Sequence, residues 1–208
     1  MIKKLLEIIY PQKCISCLEI IEHGHFCEKC EKNIKTVDVN EPIAIFDYED
    51  VKHIIHRFKF DRKAWVGKVL GDIMAEFLKE KHGELLDKAD LIIPVPLHLK
   101  KLKNRGFNQS EIIALEIGRI LGLVVDKNAL IRVRDDLAQS LVERDKRDKN
   151  VEGAFSVIKD ISGKNILLVD DVYTTGSTAK SIQKELEKAG ASRVNVITLA
   201  ISTKGVVK

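Results

Sequence analysis

Two groups of residues in this chain have types and spacing that suit chemistry. The first is Cys14-Ile15-Ser16-Cys17, followed after nine residues by Cys27-Glu28-Lys29-Cys30. In a Cys-x-x-Cys pair both thiolates turn back onto one ion, and two pairs complete a tetrahedral zinc site at Cys14, Cys17, Cys27 and Cys30. Four thiolates leave no position open for water, so a metal held there supports the fold and does not catalyse. The competing chemistries are redox exchange and iron–sulfur binding, but a redox pair needs a thioredoxin-like helix behind it. His23 and His25 lie in the gap as alternative ligands; as solvated loop histidines they need no metal.

The second group is the run Ile166-Leu167-Leu168-Val169-Asp170-Asp171-Val172-Tyr173-Thr174-Thr175-Gly176-Ser177-Thr178. Four apolar residues predict a strand buried on both faces, and two carboxylates stand at its carboxyl end. A hydroxyl-rich loop then runs straight into a helix. Backbone N–H groups at a helix start, with the dipole behind them, cradle phosphate. Thr174, Thr175, Ser177 and Thr178 add hydroxyl donors, and Gly176 lets backbone approach a ligand. Carboxylates beside a phosphate suit vicinal hydroxyls or Mg2+. The plain alternative is an acidic turn before a Ser/Thr helix cap. Neither a Walker loop nor G-x-G-x-x-G is present here.

The elements that must position these residues follow from periodicity. Ile43 to Phe46 predicts a strand, and Asp50 a cap for a helix through Val51, Ile54, Ile55 and Phe58. Trp65, Val69, Ile73, Met74, Phe77 and Leu78 recur at helical spacing. Leu91 to Val95 forms a short apolar run cut off by Pro94 and Pro96. A helix runs from Ser110 to near Gly122, and strands are expected at Leu130–Val133 and Ala154–Val157. Ser177 to Ala189 reads as a helix closed by Gly190, and Val194 to Ala200 as the last strand. Strand and helix alternate, which predicts an α/β fold with a parallel sheet flanked by helices. Composition changes near residues 35–42, dividing a small amino-terminal zinc-binding module, 1–40, from the remainder, 41–208.

The 208 residues are 45% apolar and 32% charged, which excludes a wholly disordered chain, a collagen-like repeat and a disulfide scaffold. Thirty-five Lys and Arg against 31 acids give +4, enough to permit anionic ligands without announcing nucleic acid. Met1 to Pro11 starts like a signal peptide, but Glu7 interrupts it and no small-residue cleavage site follows. No apolar run nears the ~18 residues of a membrane helix, so a cytoplasmic protein without membrane insertion is expected.

Val169 to Thr178 resembles the 5-phosphoribosyl 1-diphosphate (PRPP) motif of type I phosphoribosyltransferases. With the cysteine pairs, Pro94-Val95-Pro96 and Arg105-Gly106-Phe107-Asn108-Gln109, the chain resembles the ComF family of competence-associated proteins over residues 1–203. The resemblance implies a type I phosphoribosyltransferase-like fold, with 41–85 as a hood-like segment and 86–208 as the core. It implies that Asp170 and Asp171 hold the ribose hydroxyls with Mg2+ nearby, that Val172 and Thr174 to Thr178 line the 5′-phosphate, and that Arg105 and Gly106 face the diphosphate. The charged stretch 134–150 matches a flexible closing loop, whose Arg144, Lys146 and Arg147 are candidate diphosphate contacts. Thr174 is a departure: some purine-specific relatives carry an Asp general base two residues before the Gly.

Three functions follow. As an enzyme, the chain would catalyse displacement at ribose C1 with an unnamed nucleophile. As a binding protein, it would sense PRPP without turnover or hold single-stranded DNA or competence proteins. As an interaction module, the cysteine segment would act alone, which leaves the second group of residues unexplained. Basic clusters at Lys52–Lys63 and Lys100–Arg105 suit either a diphosphate or nucleic-acid phosphates, and Phe58, Phe60 and Trp65 serve as stacking surfaces or as core. His53 and His56 share a helix face without acidic or cysteine company. His98 stands beside the diphosphate loop.

Overall fold

The computed structural model describes residues 11–61, 63–133 and 153–202. The apolar start at Leu5–Ile9 and the charged stretch 134–150, with Arg144, Lys146 and Arg147, lie outside the described residues.

The run Ile166–Val169 is wholly buried, and it sits within strand β6 (Asn165–Tyr173) near the middle of a five-stranded sheet. The other strands are β1 (Thr36–Asn40), β2 (Ile43–Asp47), β3 (Leu91–Pro94) and β7 (Arg193–Ile201). Their order is β1-β2-β7-β6-β3, parallel throughout except for β1, which runs antiparallel to β2. The register sets Ile93 beside Leu168, Val169 beside Ile197, and Ala44 beside Thr198. Strand β1 lies on the amino-terminal side of residue 41 and is hydrogen-bonded into this sheet. The strands predicted at 130–133 and 154–157 form, but as a separate antiparallel pair, β4 (Leu130–Arg132) and β5 (Phe155–Val157).

Seven helices complete the described residues: α1 (Glu28–Asn33), α2 (Tyr48–Phe60), α3 (Ala64–Lys81), α4 (Gly83–Lys88), α5 (Leu99–Arg105), α6 (Gln109–Leu121) and α7 (Ser177–Lys188). Strand alternation sends Leu167 and Val169 into one apolar core with Ile54, Phe58, Met74 and Ile113, and Ile166 and Leu168 into a second with Ile182 and Leu186. The sheet is thus covered by α2, α3 and α6 on one face and by α7 on the other.

Helix α2 departs from expectation at its start. The cap is Asp47, whose Oδ1 accepts the Glu49 N–H at 2.9 Å, and Asp50 instead accepts the Lys35 N–H at 3.2 Å. Both aspartates precede the apolar stripe, and only the first stands at the strand-to-helix corner. In α3 the innermost residues are Val66, Leu70, Met74 and Leu78, and Trp65, predicted on the apolar face, is 40% exposed. Gly71 brings α3 against α6: a Cβ there would lie 2.5 Å from Glu116 Cβ. That contact fixes α6, whose first turn carries side chains to the end of β6.

Candidate functional site

Strand β6 does not end at its apolar run. It continues through Asp170, Asp171 and Val172 to Tyr173, paired with Thr198, Ala200 and Ile201 of β7. Ladder hydrogen bonds therefore hold the two acids at the carboxyl end of the sheet, where side chains from α2 and α6 reach them. Asp171 follows Leu167 and Val169 toward α2, where Lys59 Nζ lies 2.7 Å from its Oδ2. Asp170 takes the Ser110 hydroxyl on Oδ1 at 3.0 Å and the Asp171 N–H on the same oxygen at 2.9 Å. Burial, reinforced by the neighbouring Asp171 charge, pushes the Asp170 carboxyl up to about 7, against the two hydrogen bonds and Lys59.

Ser110 is placed by a chain of local bonds. Asn108 caps α6 by accepting the Ser110 N–H at 3.2 Å, and its Nδ2 donates to the Val95 carbonyl at 3.0 Å. The cap thereby ties α6 to the end of β3. The basic cluster Lys100 to Arg105 forms most of helix α5, capped by His98, whose Nδ1 accepts the Lys100 N–H at 3.2 Å. Gly106, at φ 86°, ends that helix and turns the chain toward α6. Arg105 Nη1 donates to Gln109 Oε1 at 2.6 Å, and the guanidinium sits 5.5 Å from the centre of the Phe60 ring. Burial lowers the Arg105 pKa and the Asp171 charge opposes that shift, so the guanidinium lies within the electrostatic reach of Asp171.

The loop after β6 places Thr174 and Thr175 in the open and leaves Ser177 and Thr178 half-buried at the start of α7. Thr175 Oγ1 and Ser177 Oγ lie 2.7 Å apart. Gly176 has φ 76°, and a side chain there would collide with the Tyr173 hydroxyl and ring. The glycine is therefore required by its own backbone and by Tyr173 before any ligand enters.

The cysteine segment also assembles. The Sγ atoms of Cys14, Cys17, Cys27 and Cys30 lie within 4.8 Å of one another, with Cys17 and Cys27 at 3.6 Å. Tetrahedral zinc with Zn–S bonds of about 2.3 Å sets its sulfurs roughly 3.8 Å apart, so the donor set fits. Burial raises the Cys14 thiol, but N–H groups of Cys17, Cys27 and Ser16 outweigh it and bring the pKa to about 7. Cys17 is pushed up to about 12: the Glu19 N–H favours its thiolate, but burial and the three neighbouring sulfurs oppose it. A divalent cation would relieve that crowding of like charges. His25 is not in the cluster; its Nε2 lies 3.6 Å from Glu76.

Two site residues do not stand out in the sequence: Lys59, one of several lysines in the Lys52–Lys63 cluster, and Ser110, a helix-start residue, reach the acids across the fold. Gln109 of the Arg105–Gln109 motif is 2% exposed with its Nε2 unpartnered. The helical aromatics divide: Phe58 is buried and stacks on Phe107 with centroids 5.5 Å apart, whereas Phe60 is 61% exposed. His53 bonds Ser16 at 2.8 Å and His56 packs on Phe60 at 4.6 Å, so the two do not act as a pair.

Parallel strands delivering two acids and a helix start to one carboxyl edge of the sheet define the class. A family model described as "Phosphoribosyl transferase domain" matches residues 70–206, and the chain belongs to that family. Within it the chain is of the ComF type. It is 30% identical over 203 residues to Competence protein F of Haemophilus influenzae, covering 95% of this chain and 87% of that one. It is 31% identical over 195 residues to Competence protein ComFC of Streptococcus pneumoniae (93% and 82% covered) and 30% identical over 186 residues to DNA utilization protein YhgH of Escherichia coli (88% and 81% covered). Among solved structures, a purine phosphoribosyltransferase from Pyrococcus horikoshii aligns with TM-score 0.41 and 21% identity, covering 67% of this chain and 74% of that one.

Proposed function

We propose that the chain binds PRPP with Mg2+ at the carboxyl edge of β6 and acts as a phosphoribosyltransferase. The observation that carries this is the pair Asp170 and Asp171 at the end of β6, followed directly by the Thr174–Thr178 loop and the start of α7, with Arg105 of α5 within the electrostatic reach of Asp171. Asp170 and Asp171 accept the ribose hydroxyls. The start of α7, with Thr174, Thr175, Gly176, Ser177 and Thr178, takes the 5′-phosphate, beside Val172. Arg105 and Gly106 face the diphosphate, and Arg144, Lys146 and Arg147 join them by family resemblance. In the reaction a bond forms from the nucleophile to ribose C1, the C1–oxygen bond breaks, and diphosphate departs with the electron pair. Arg105 stabilises that growing negative charge, the kind of contribution preorganised groups make well. Bound Mg2+ supplies further charge neutralisation at the diphosphate.

Thr174 favours a second reading on the same site. Its hydroxyl is no base at neutral pH, so the chain either uses an acceptor that needs no deprotonation there or senses PRPP without turnover. The names of the relatives support a place in DNA uptake or use, with competence proteins or single-stranded DNA as partners. The Cys14–Cys30 segment serves as a structural zinc module, and β1 belongs with the transferase-like unit that follows it. Four free thiols suit a reducing, cytoplasmic compartment, and among the described residues no helix is long and apolar enough to cross a membrane.

Calorimetric titration with PRPP and Mg2+, followed by a diphosphate-release screen across bases and amines, tests the proposal. Binding by the native chain and its loss in Asp170→Ala/Asp171→Ala is the expected result. A folded double variant that binds as tightly as the native chain overturns the site.

A further inference from the structure

Helix α2 touches both the cysteine segment and the acid pair. Arg57 Nη1 donates to the carbonyl oxygens of Ile15 at 2.8 Å and Ser16 at 3.0 Å, and His53 Nε2 lies 2.8 Å from Ser16 Oγ. Ile15 and Ser16 are the two residues enclosed by the first Cys-x-x-Cys pair, and Ile15 is wholly buried in the same core as Val51, Ile54 and Phe58. His53 and Arg57 are four residues apart and share a helix face. Lys59 lies about 200° around the helix from Arg57 at 3.6 residues per turn, on the side toward the sheet. There its Nζ meets Asp171 Oδ2 at 2.7 Å. The rise from Arg57 to Lys59 is only about 3 Å, too short for the helix to absorb a shift of one without moving the other.

We propose that the cysteine module positions Lys59 at Asp171 through helix α2, making Lys59 a metal-dependent residue of the phosphoribosyl site. The consequence for ligand binding rests on the PRPP reading above. With the site empty, Lys59 neutralises Asp171. A ribose diol needs that carboxylate as acceptor, and the ligand brings phosphate anions, so Lys59 exchanges the carboxylate for phosphate. Zinc across the four thiolates closes the turn that presents the Ile15 and Ser16 carbonyls. Its removal frees that turn, loosens Arg57 and lets Lys59 leave its place.

The test uses full-length protein with lysines reductively methylated with carbon-13, the Lys59 signal being assigned by its loss in Lys59→Met. That signal should shift in Asp171→Asn, on zinc chelation, and in Arg57→Gln with zinc still bound and the far-ultraviolet spectrum unchanged. His53→Ala gives a second metal-retaining variant. In parallel, chelation should weaken PRPP affinity about tenfold in the native chain and less than twofold in Lys59→Met. A Lys59 signal unmoved by chelation, Arg57→Gln and His53→Ala overturns the coupling, as does equal weakening in native and Lys59→Met protein. Native protein that binds no PRPP but keeps a metal-dependent Lys59 signal supports the coupling and overturns the phosphoribosyl reading.

Discussion

Ser110 Oγ donates to Asp170 Oδ1 at 3.0 Å, joining the first turn of α6 to β6 across sixty residues of chain. The bond is charge-assisted when Asp170 is ionised, yet burial and Asp171 still lift the carboxyl to about 7. The folded acid therefore holds a proton more tightly than the unfolded one. The stability this brings is fully present below the unfolded pKa and is lost as pH rises through about 7. In the proposed PRPP complex ligand binding has the opposite sign, because ribose hydroxyls would need the carboxylate as acceptor. PRPP affinity should fall as pH drops from 8 to 6, approaching tenfold per unit below the Asp170 pKa. Asp170→Asn should bind weakly at both ends, leaving only the titration of the ligand itself. Ser110→Ala should move the midpoint upward. Parallel profiles for native and Asp170→Asn protein would remove Asp170 from the site.

Gln109 gives its Oε1 to Arg105 and leaves Nε2 buried without a partner. An unmet buried donor typically costs about 1–3 kcal/mol, comparable to what the charged hydrogen bond returns. Gln109→Leu should therefore change stability little, within about 1 kcal/mol, because the bond and the orphan disappear together. Arg105 then loses the partner that aims it, so PRPP affinity should drop about tenfold. Calorimetry together with urea melts separates the two effects. A large stability loss with unchanged affinity would make Gln109 a core residue and not an aiming one.

The cysteine cluster should bind about one zinc per chain, read by elemental analysis of chelator-free protein. Cys17→Ser or Cys27→Ser should lower metal content and melting temperature together. Because Ile15 is packed in the main core, the loss should reach beyond the module. At this chain length each kcal/mol lost lowers the melting temperature by about 2–4 °C. Native protein without metal and with the same melting temperature as Cys27→Ser would dismiss the zinc site.

Composition and periodicity reveal elements made of local pattern and miss those made of long-range pairing. Ile166 to Val169 is legible because only a strand buried on both faces tolerates four such residues before paired acids. Its extension past the acids through Val172 and Tyr173 is not legible, since only β7 supplies the ladder that makes them strand. Strand β1, Thr-Val-Asp-Val-Asn, looks like a linker because its partner β2 provides the order. Helix α5 hides behind two prolines and has only Leu99 and Leu102 to mark a face. The PRPP-like run is visible as a contiguous motif. Lys59 and Ser110 are not, because ordinary helix residues become site residues only when α2 and α6 pack on the sheet.

Gly176 offers the sharpest separation of fold from ligand. Its φ of 76° lies in the left-handed region, where a residue with Cβ costs roughly 1–2 kcal/mol. A Cβ would also strike the Tyr173 ring, so Gly176→Ala should destabilise the protein even without ligand. Tyr173→Ala removes the obstacle at the expense of the ring's own packing in the second core. In the double variant the steric part of the alanine penalty vanishes and the backbone part stays. Thermal melts of both single variants and the double should therefore be non-additive, the double being more stable than the sum predicts by about 1 kcal/mol or more. If the glycine served only to admit phosphate, Gly176→Ala would melt like the native chain and lose PRPP alone. Additive melting losses would show that Tyr173 does not confine this turn.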